Sequence, residues 1–439
     1  MSGPGSGIRR ARSITPADPL PSGAGGVPTA EPGRRLPTRF VPPALRVRHF
    51  RWYWAAQWPT LLGTWMQVVA LGYLVYSRTG STTAVAVVAA ADGLPAVVLS
   101  LAGGVLADRL PRRRILLVTQ SLLGLTAGSL AVLVATGHAS FGAIVAVALA
   151  FGATDAVDLP TRQALVADLV ERDLVVNAVA LGSAAMSATR IVGPSVAGLL
   201  IGIAGPAVCF GALSLAYLVP IVVLLLVIPD IPPLSRDDSG SAVHDLLAGF
   251  REALRDPLVR GVLLACAALA FFGVSYMPFL PVLAKTQLHA GAQVLGLMYS
   301  VGGIGGLVAG VLVAGFGRSA RRRSLLLVGG PVYAVSLFCV AHSSALLLTL
   351  LGLVGISFAF LAINTSLNTI IQTETNAVMR GRMLGIYATL FAGLQPLGTV
   401  AYGLLPAPQL FTAIGFGAIA VGVVTVAVAA RRSFRLRTA

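Results

Sequence analysis

Residues 104–114 read Gly-Val-Leu-Ala-Asp-Arg-Leu-Pro-Arg-Arg-Arg and separate two long apolar segments by a very short polar link. Asp108 ends one predicted helix and Arg112 begins the next, so both charges oppose the local helix dipole and do not serve helix stability. We predict an ion-pair latch that opens and closes during a conformational change. The alternative is a plain topology signal, because arginine collects on the cytoplasmic side of membranes. The predicted latch residues are Gly104, Asp108, Arg109, Arg112, Arg113 and Arg114.

The composition is that of a membrane protein. Of 439 residues, 56% are hydrophobic and only 11% are charged, whereas about a quarter of an ordinary soluble chain is charged. A helix needs about 20 apolar residues to cross a bilayer. The sequence predicts twelve such helices, at 52–77, 82–106, 115–136, 141–160, 177–203, 206–228, 259–284, 292–316, 324–341, 345–371, 383–405 and 410–430.

The net charge of +16 is distributed as a topology signal and not as a nucleic-acid-binding surface. Basic residues collect before the first span, in the second and eighth links and at the C-terminus, while the other links carry only Arg78 and Lys285. The positive-inside rule therefore places both termini in the cytoplasm. Residues 1–50 and 431–439 are predicted to be basic cytoplasmic tails, the first disordered, that bind anionic lipid.

The chain divides into two similar halves. A polar connector at 229–258 separates six-helix bundles at 51–228 and 259–430, and an amphipathic helix is predicted within it. Three arginines at 112–114 recur at 321–323, between the second and third spans of each half. This alignment pairs Asp108 with Gly317, so only the first half has the acid of the latch.

Several motifs resemble the major facilitator superfamily. The 104–114 link matches its signature, and the stretches Gly63–Gln67, Asp158–Val166 and Arg380–Arg382 are similar to a bacterial branch that includes enterobactin and macrolide exporters. The resemblance implies an all-α integral membrane fold of twelve helices in two pseudo-symmetric bundles. It also implies alternating access and proton-driven export of a small molecule.

Charged residues inside spans are candidates for proton coupling, because burying them in a bilayer is costly. Asp92 is predicted to take up and release the proton while Arg190 tunes it; a permanent ion pair, or a packing role for Arg190, is the alternative. A second group lies near the cytoplasmic ends, where the resemblance places the arginines in short loops. It forms either an inner gate or proton exit, or ordinary interfacial salt bridges. Its members are Asp155, Asp158, Glu374, Arg162, Arg380 and Arg382.

Polar side chains at helical spacing on spans one and ten predict a substrate cavity, with hydrogen bonds that only join helices as the alternative. The cavity candidates are Gln57, Thr60, Thr64, Trp65, Gln67, Phe272, Tyr276, Ser357, Asn364, Asn368 and Gln372. Interruptions at Gly193, Pro194 and Pro396 fall at similar places in the two halves and are candidate flexing points.

The sequence predicts a monomeric, proton-coupled antiporter of the cytoplasmic (inner) membrane that exports a drug, siderophore or secondary metabolite and contributes to antibiotic resistance. An importer or facilitator is the alternative, and a non-transporting sensor or scaffold is the alternative of another class. The three cysteines are widely spaced and indicate neither a metal site nor disulfides. No enzyme motif or cofactor site is predicted.

Overall fold

The computed structural model describes residues 42–230, 255–315, 320–375 and 377–430. Within these ranges, the side chains at 100–109, 313–315, 320–322, 377 and 378 are not described. The predicted connector helix therefore lies outside the described residues, as do residues 1–41 and the C-terminal tail. The side chains of Gly104, Asp108 and Arg109 are also outside them.

Twelve helical segments follow one another along the described chain. We number them α1 (Arg48–Thr79), α2 (Thr82–Arg109), α3 (Arg112–Ala135), α4 (Phe141–Leu169), α5 (Val175–Ala204), α6 (Pro206–Leu226), α7 (Pro257–Thr286), α8 (Ala292–Gly315), α9 (Ala320–His342), α10 (Leu346–Glu374), α11 (Ala377–Gly403) and α12 (Ala407–Ala430). By length and hydropathy, eleven of the described helices can cross a membrane. The remaining helix, α1, carries more polar and aromatic side chains.

The two halves share one pattern of helix packing. In the first half α2 packs against α4, α3 against α4 and α6, and α1 against α5 and α6. Each of these pairs recurs six helices later: α8 packs against α10, α9 against α10 and α12, and α7 against α11 and α12. Between the halves, α2 packs against α11 and α5 against α8. The fold is therefore the predicted one of two pseudo-symmetric bundles.

The contacts correct the predicted alignment of the repeat by one residue. Arg113 Nε donates to the carbonyl oxygen of Leu224 at 2.6 Å, near the end of α6. Its counterpart is Arg323, whose Nε donates to the carbonyl of Ala429 at 2.9 Å, near the end of α12. The pairing of Arg114 with Arg323, and hence of Asp108 with Gly317, is wrong. Three consecutive arginines look alike in sequence, and only their partners distinguish them.

The N-terminal boundary also differs from the prediction. Residues 42–50 belong to the folded bundle and not to a tail, because a short 3₁₀ turn at Pro43–Arg46 precedes α1. The backbone N–H of Ala44 donates to Asn177 Oδ1 at 3.0 Å. Ala44 and Phe50 are almost fully buried against the end of α4.

Several helices depart from the predicted spans; α11, for example, begins at Ala377 and not at residue 383. α4 continues to Leu169, well beyond the predicted end at residue 160, although it contains Pro160. Membrane helices tolerate proline because neighbouring groups satisfy the freed backbone. α7 is irregular at its centre, where a π turn at Leu269–Gly273 passes into a 3₁₀ turn at Val274–Phe279. Such turns occur often at functional sites.

The halves touch closely at one end of the bundle, which we call the distal end, opposite the start of α1 and the end of α12. There the hydroxyls of Thr82 and Thr83 donate to the carbonyls of Leu405 and Gly403, at 2.8 and 2.7 Å. The ammonium of Lys285 lies 5.6 Å from the centre of the Tyr76 ring. At the second contact between the halves, Gly198 of α5 and Gly296 of α8 allow the two helices to approach to backbone contact.

At the opposite, terminal end the helices that face the other half are exposed. On α5, Gly182, Ser183, Ala184, Met186 and Ser187 are all exposed, and together they surround most of the helix. Farther toward the distal end of α5, the buried residues include Gly193, Pro194, Ala197 and Gly198, where the helix packs against α1 and α8. The bundle is therefore closed between its halves at the distal end and open at the terminal end.

Candidate functional site

A central cavity of about 490 Å³ lies between the two halves. Its walls come from α1, α2, α5, α7, α8, α9, α10 and α11, and most of its lining is aliphatic or aromatic. Asp92 and Arg190 are the charged residues among the lining side chains that the structure describes. The irregular centre of α7 forms one wall through Val274, Tyr276, Met277 and Pro278.

The two charged residues of the cavity are not paired with each other. The guanidinium of Arg190 lies over the ring of Trp65, 5.3 Å from its centre. Within the described residues, no carboxylate lies within 4 Å of it. Asp92 instead interacts electrostatically with Asp155 of the neighbouring helix α4. Asp92 and Arg190, which were predicted to couple, are both exposed to one cavity. The alternative of a permanent ion pair is not what the geometry shows.

A second polar site, the charged cluster, lies between α3 and α4 and consists of Thr119, Gln120, Asp155, Asp158 and Arg162. Asp158 is fully buried. Its carboxylate accepts hydrogen bonds from Thr119 Oγ1 at 2.6 Å and from Gln120 Nε2 at 2.9 Å. Arg162 Nε lies 2.6 Å from its other oxygen. Asp158 is therefore held on both oxygens.

Asp155 is held more loosely than Asp158. Its single ion pair joins Oδ1 to Arg162 Nη2 at 3.3 Å, and its side chain is 37% exposed. Arg162 also donates to Gln57 Oε1 at 3.4 Å, which links the charged cluster to α1. Through Asp155, the charged cluster is electrostatically connected to Asp92 in the central cavity.

The arginines of the second predicted group are not in loops. Arg162 lies within α4, and Arg380 and Arg382 are exposed in the first turns of α11. Glu374 is partly exposed at the end of α10. The structure thus brings together Asp155, Asp158 and Arg162 deep in the first half, because α4 is longer than predicted.

The predicted cavity residues divide into two sets. Trp65, Tyr276 and Ser357 line the central cavity, whereas the other predicted side chains do not. Thr60 illustrates why: its hydroxyl donates to the carbonyl of Gln57 at 2.9 Å and is satisfied within its own helix. On α10, Gln372 Nε2 donates to Asn368 Oδ1 at 2.5 Å. The predicted residues outside the cavity lining are Gln57, Thr60, Thr64, Gln67, Phe272, Asn364, Asn368 and Gln372.

Of the predicted flexing points, Pro194 and Pro396 lie where the halves meet, whereas Gly193 packs within the first half. A side-chain carbon at Gly193 would contact Trp65 Cβ at 2.8 Å. Pro396 lines the central cavity and approaches Gly93 of α2. The two prolines are not equivalent in the repeat. Gly193 and Gly398 correspond, since each packs against the first helix of its own half, so the position of Pro194 matches Thr399.

Sequence reasoning missed several polar groups. Tyr299, Tyr333, Gln395 and Thr399 also line the cavity. The donors that hold Asp158 were missed as well, although a buried amide such as Gln120 in an apolar span is the signal that identifies functional polar residues.

The latch arginines hold the first half together. Arg112 Nη1 lies 2.5 Å from Asp168 Oδ1 at the end of α4. Arg113 and Arg114 both lie within 4 Å of Asp230, after α6. These contacts join α3 to its neighbours. The latch itself stays a prediction, because the side chain of Asp108 is outside the described residues.

Comparison with known proteins agrees with this architecture. Residues 38–439 match the model of a family described as transmembrane secretion effector, within the major facilitator superfamily. The chain belongs to this family. It is a multi-pass membrane transporter and not an enzyme.

The individual relatives share about a quarter of the aligned residues with this chain. The enterobactin exporter of Shigella flexneri is 26% identical over 384 residues, which cover 85% of this chain and 90% of the relative. An enterobactin exporter of Escherichia coli O157:H7 is also 26% identical over 383 residues, with the same coverage. Among solved structures, a bacterial homolog of the lysosomal transporter Spinster, inward-facing and occupied, has a TM-score of 0.67 at 14% identity, covering 90% of this chain and 97% of its own. The nucleoside transporter NupG also has a TM-score of 0.67 at 14% identity, covering 88% and 98%.

Proposed function

We propose that this protein exports a small amphiphilic molecule from the cytoplasm in exchange for protons. The observation that carries the proposal is the central cavity. It lies between two pseudo-symmetric halves, is mostly apolar, contains an acid and a base, and is closed at the distal end. Alternating access requires a site of this kind between repeats.

The distribution of charge supports an orientation of the protein in the membrane. The start of α1, the end of α12 and the arginines that begin α3 lie at the terminal end of the bundle, which the positive-inside rule assigns to the cytoplasm. The structure is then inward-facing, the state that receives cargo for export. Arginines at this end also favour contact with anionic lipid. One chain forms the whole cavity wall, so the transport unit in this proposal is a monomer.

Proton coupling is assigned to Asp92 and Asp155. Two carboxylates that repel each other in apolar surroundings are stabilised when one of them binds a proton. Asp92 is exposed to the cavity, and among the described residues Asp155 has one ion-pair partner. Protonation of Asp155 would remove one of the two carboxylates that hold Arg162. Binding of a proton is thereby linked to the position of α4 relative to α1, because Arg162 of α4 contacts Gln57 of α1.

Enterobactin is the first substrate to test, because relatives are named for its export. The protein would be produced in Escherichia coli lacking its own enterobactin exporter, and enterobactin in the medium would be measured by mass spectrometry. We expect export that stops when an uncoupler collapses the proton gradient. If export continues undiminished after collapse, proton coupling is contradicted; uptake of labelled cargo instead of release would indicate an importer.

The coupling residues are tested in the same assay. Asp92→Asn and Asp155→Asn are each expected to lower gradient-driven export by about tenfold or more, as expected when an essential proton-transfer group is lost. Asp173→Asn is the matched control, because Asp173 is an exposed acid in the link before α5. Unchanged export by both test variants would remove these acids from the mechanism.

A further inference from the structure

Arg190 is a charge that the fold itself does not require. Its counterpart in the second half is Gln395, since Gly193 and Gly398, three residues further on, pack in the same way on α1 and α7. Both side chains line the central cavity. The second half thus forms the same wall with a neutral amide. A guanidinium without a carboxylate in a membrane interior is costly, which makes it a candidate for function.

Two further hydrogen-bond donors lie beside Arg190. The indole Nε1 of Trp65 is buried and has no acceptor among the described residues. The phenol of Tyr276 is close enough to interact electrostatically with Arg190, and its hydroxyl has no hydrogen-bond partner in the described part of the chain. Arginine and tryptophan side chains can only donate hydrogen bonds. This part of the wall therefore offers donors and a positive charge, and the hydroxyl oxygen of Tyr276 is the one acceptor among these three side chains.

We propose that Arg190, Trp65 and Tyr276 bind an acidic group, such as a carboxylate, sulfonate or ionised phenol, on the molecule that the protein carries. The inference rests on the proposed function, because it assigns the cavity to cargo. An oxyanion satisfies all three donors, and charge-assisted hydrogen bonds to arginine are the stronger kind. The aromatic and aliphatic side chains around the site, such as Phe360 and Phe391, accommodate an apolar body.

The charge of the cargo agrees with the proposed direction. An anion that leaves the cytoplasm is driven outward by an inside-negative membrane potential. Asp92, on another wall of the cavity, repels the anion when it is ionised. The Asp92→Asn variant is therefore expected to bind the anion more tightly than the wild type.

The test uses two dyes with the same aromatic skeleton. 8-Anilinonaphthalene-1-sulfonate carries an acidic group, and N-phenyl-1-naphthylamine lacks it. Binding of each dye to the full-length protein in lipid nanodiscs would be measured by equilibrium dialysis, with empty nanodiscs subtracted. Arg190→Gln is expected to weaken binding of the sulfonate by about tenfold or more and to leave the neutral dye nearly unchanged. Tyr276→Phe is expected to weaken binding of the sulfonate dye by about threefold.

Two variants separate charge from folding. Arg190→Lys keeps the positive charge and is expected to retain most of the sulfonate binding. Arg260→Gln removes an exposed arginine at the start of α7 and should change the binding of neither dye. The inference is overturned if Arg190→Gln binds the sulfonate as the wild type does, if Arg190→Lys loses both dyes equally, or if the wild type does not bind the sulfonate. If the wild type binds only the neutral dye, the anion site is contradicted and the transport proposal is unaffected. If the sulfonate binds through Arg190 but no export is measured, the transport proposal is contradicted and the anion site is unaffected.

Discussion

The same packing position is filled by charge in one half of the molecule and by hydrocarbon in the other. Between α3 and α4, the buried carboxylate of Asp158 is surrounded by Thr119, Gln120 and Arg162. Between α9 and α10, the corresponding residue is Ile363, which is also fully buried. There Gly329 takes the place of Thr119, and a side-chain carbon on it would lie 3.1 Å from Ile363 Cγ1.

The difference shows that this helix pair can pack without ions. Replacing a buried ion pair by apolar groups of similar volume is often neutral or stabilising. The same asymmetry holds for the cavity lining and for the charged cluster beside it. The first half carries Asp92, Asp155, Asp158, Arg162 and Arg190, and the second half carries Gly302, Phe360, Ile363, Leu367 and Gln395 at the corresponding positions. We infer that the charges are kept for transport and not for folding.

The largest effect is expected when one member of the charged cluster is removed alone. Asp158→Leu removes the carboxylate that holds Arg162 Nε, Thr119 Oγ1 and Gln120 Nε2, while Arg162 Nη2 keeps its pairing with Asp155. It should lower the free energy of unfolding by about 3–5 kcal/mol. Thermal unfolding in detergent, followed by size-exclusion chromatography, measures it. Ile363→Leu, at the corresponding position, is the control and should cost less than about 1.5 kcal/mol. Equal losses in the two variants would contradict the asymmetry.

A glycine-serine exchange tests the neighbouring contact between α2 and α4. A side chain at Gly152 would overlap the carbonyl oxygen of Asp92, so Gly152→Ser forces the helices apart and should cost about 2–3 kcal/mol. In the second half, Ser357 occupies the corresponding position against Gly302. Ser357→Gly should therefore be tolerated with a cost below about 1 kcal/mol. If both variants unfold at the wild-type temperature, the close approach at Asp92 is not needed.

Removal of a single hydrogen bond in the charged cluster is expected to have a smaller effect. Thr119→Val keeps the shape of the side chain and deletes the donor to Asp158, and should cost about 1.5 kcal/mol, as for other hydrogen bonds to charged groups. Thermal unfolding of this variant would be compared with that of Thr126→Val, whose hydroxyl bonds only to the backbone of its own helix. Greater destabilisation by the Thr126 variant would contradict the assignment.

The smallest effects are expected where the two halves agree. Arg113→Gln and Arg323→Gln each remove a cation that binds the last carbonyls of the sixth helix of its half. Each substitution should lower the free energy of unfolding by about 0.5–1 kcal/mol, because a positive charge at the negative C-terminal end of a helix is stabilising. Chemical unfolding curves would show two similar shifts. A large loss in one variant only would mean that the corrected register does not describe equivalent residues.

The number of spans and the fold class follow from sequence, because a bilayer requires about 20 apolar residues per helix and these runs are plain. The register of the repeat does not follow, since consecutive arginines become distinguishable only when Arg113 meets Leu224. The end of α4 was also predicted wrongly, because the helix continues through Pro160 to Leu169.

The cavity was partly predictable. Charge and aromatic character identified Asp92, Arg190, Trp65 and Tyr276, all of which line it. The polar stripe on α1 did not identify cavity residues, because a hydroxyl such as that of Thr60 is satisfied by a carbonyl one turn earlier. Tyr299 and Tyr333 were not recognised, since a tyrosine in an apolar span gives no signal until its neighbours are known.

The most direct test copies the second half into the first. Asp158→Ile/Arg162→Leu removes both charges of the buried pair and should recover most of the stability lost in Asp158→Leu. Accumulation of enterobactin inside inside-out vesicles of known orientation, which corresponds to export from the cell, would then be followed under an imposed proton gradient, with the wild type as reference. The account predicts a folded protein whose gradient-driven transport is lost. A folded double variant that transports at the wild-type rate would contradict it.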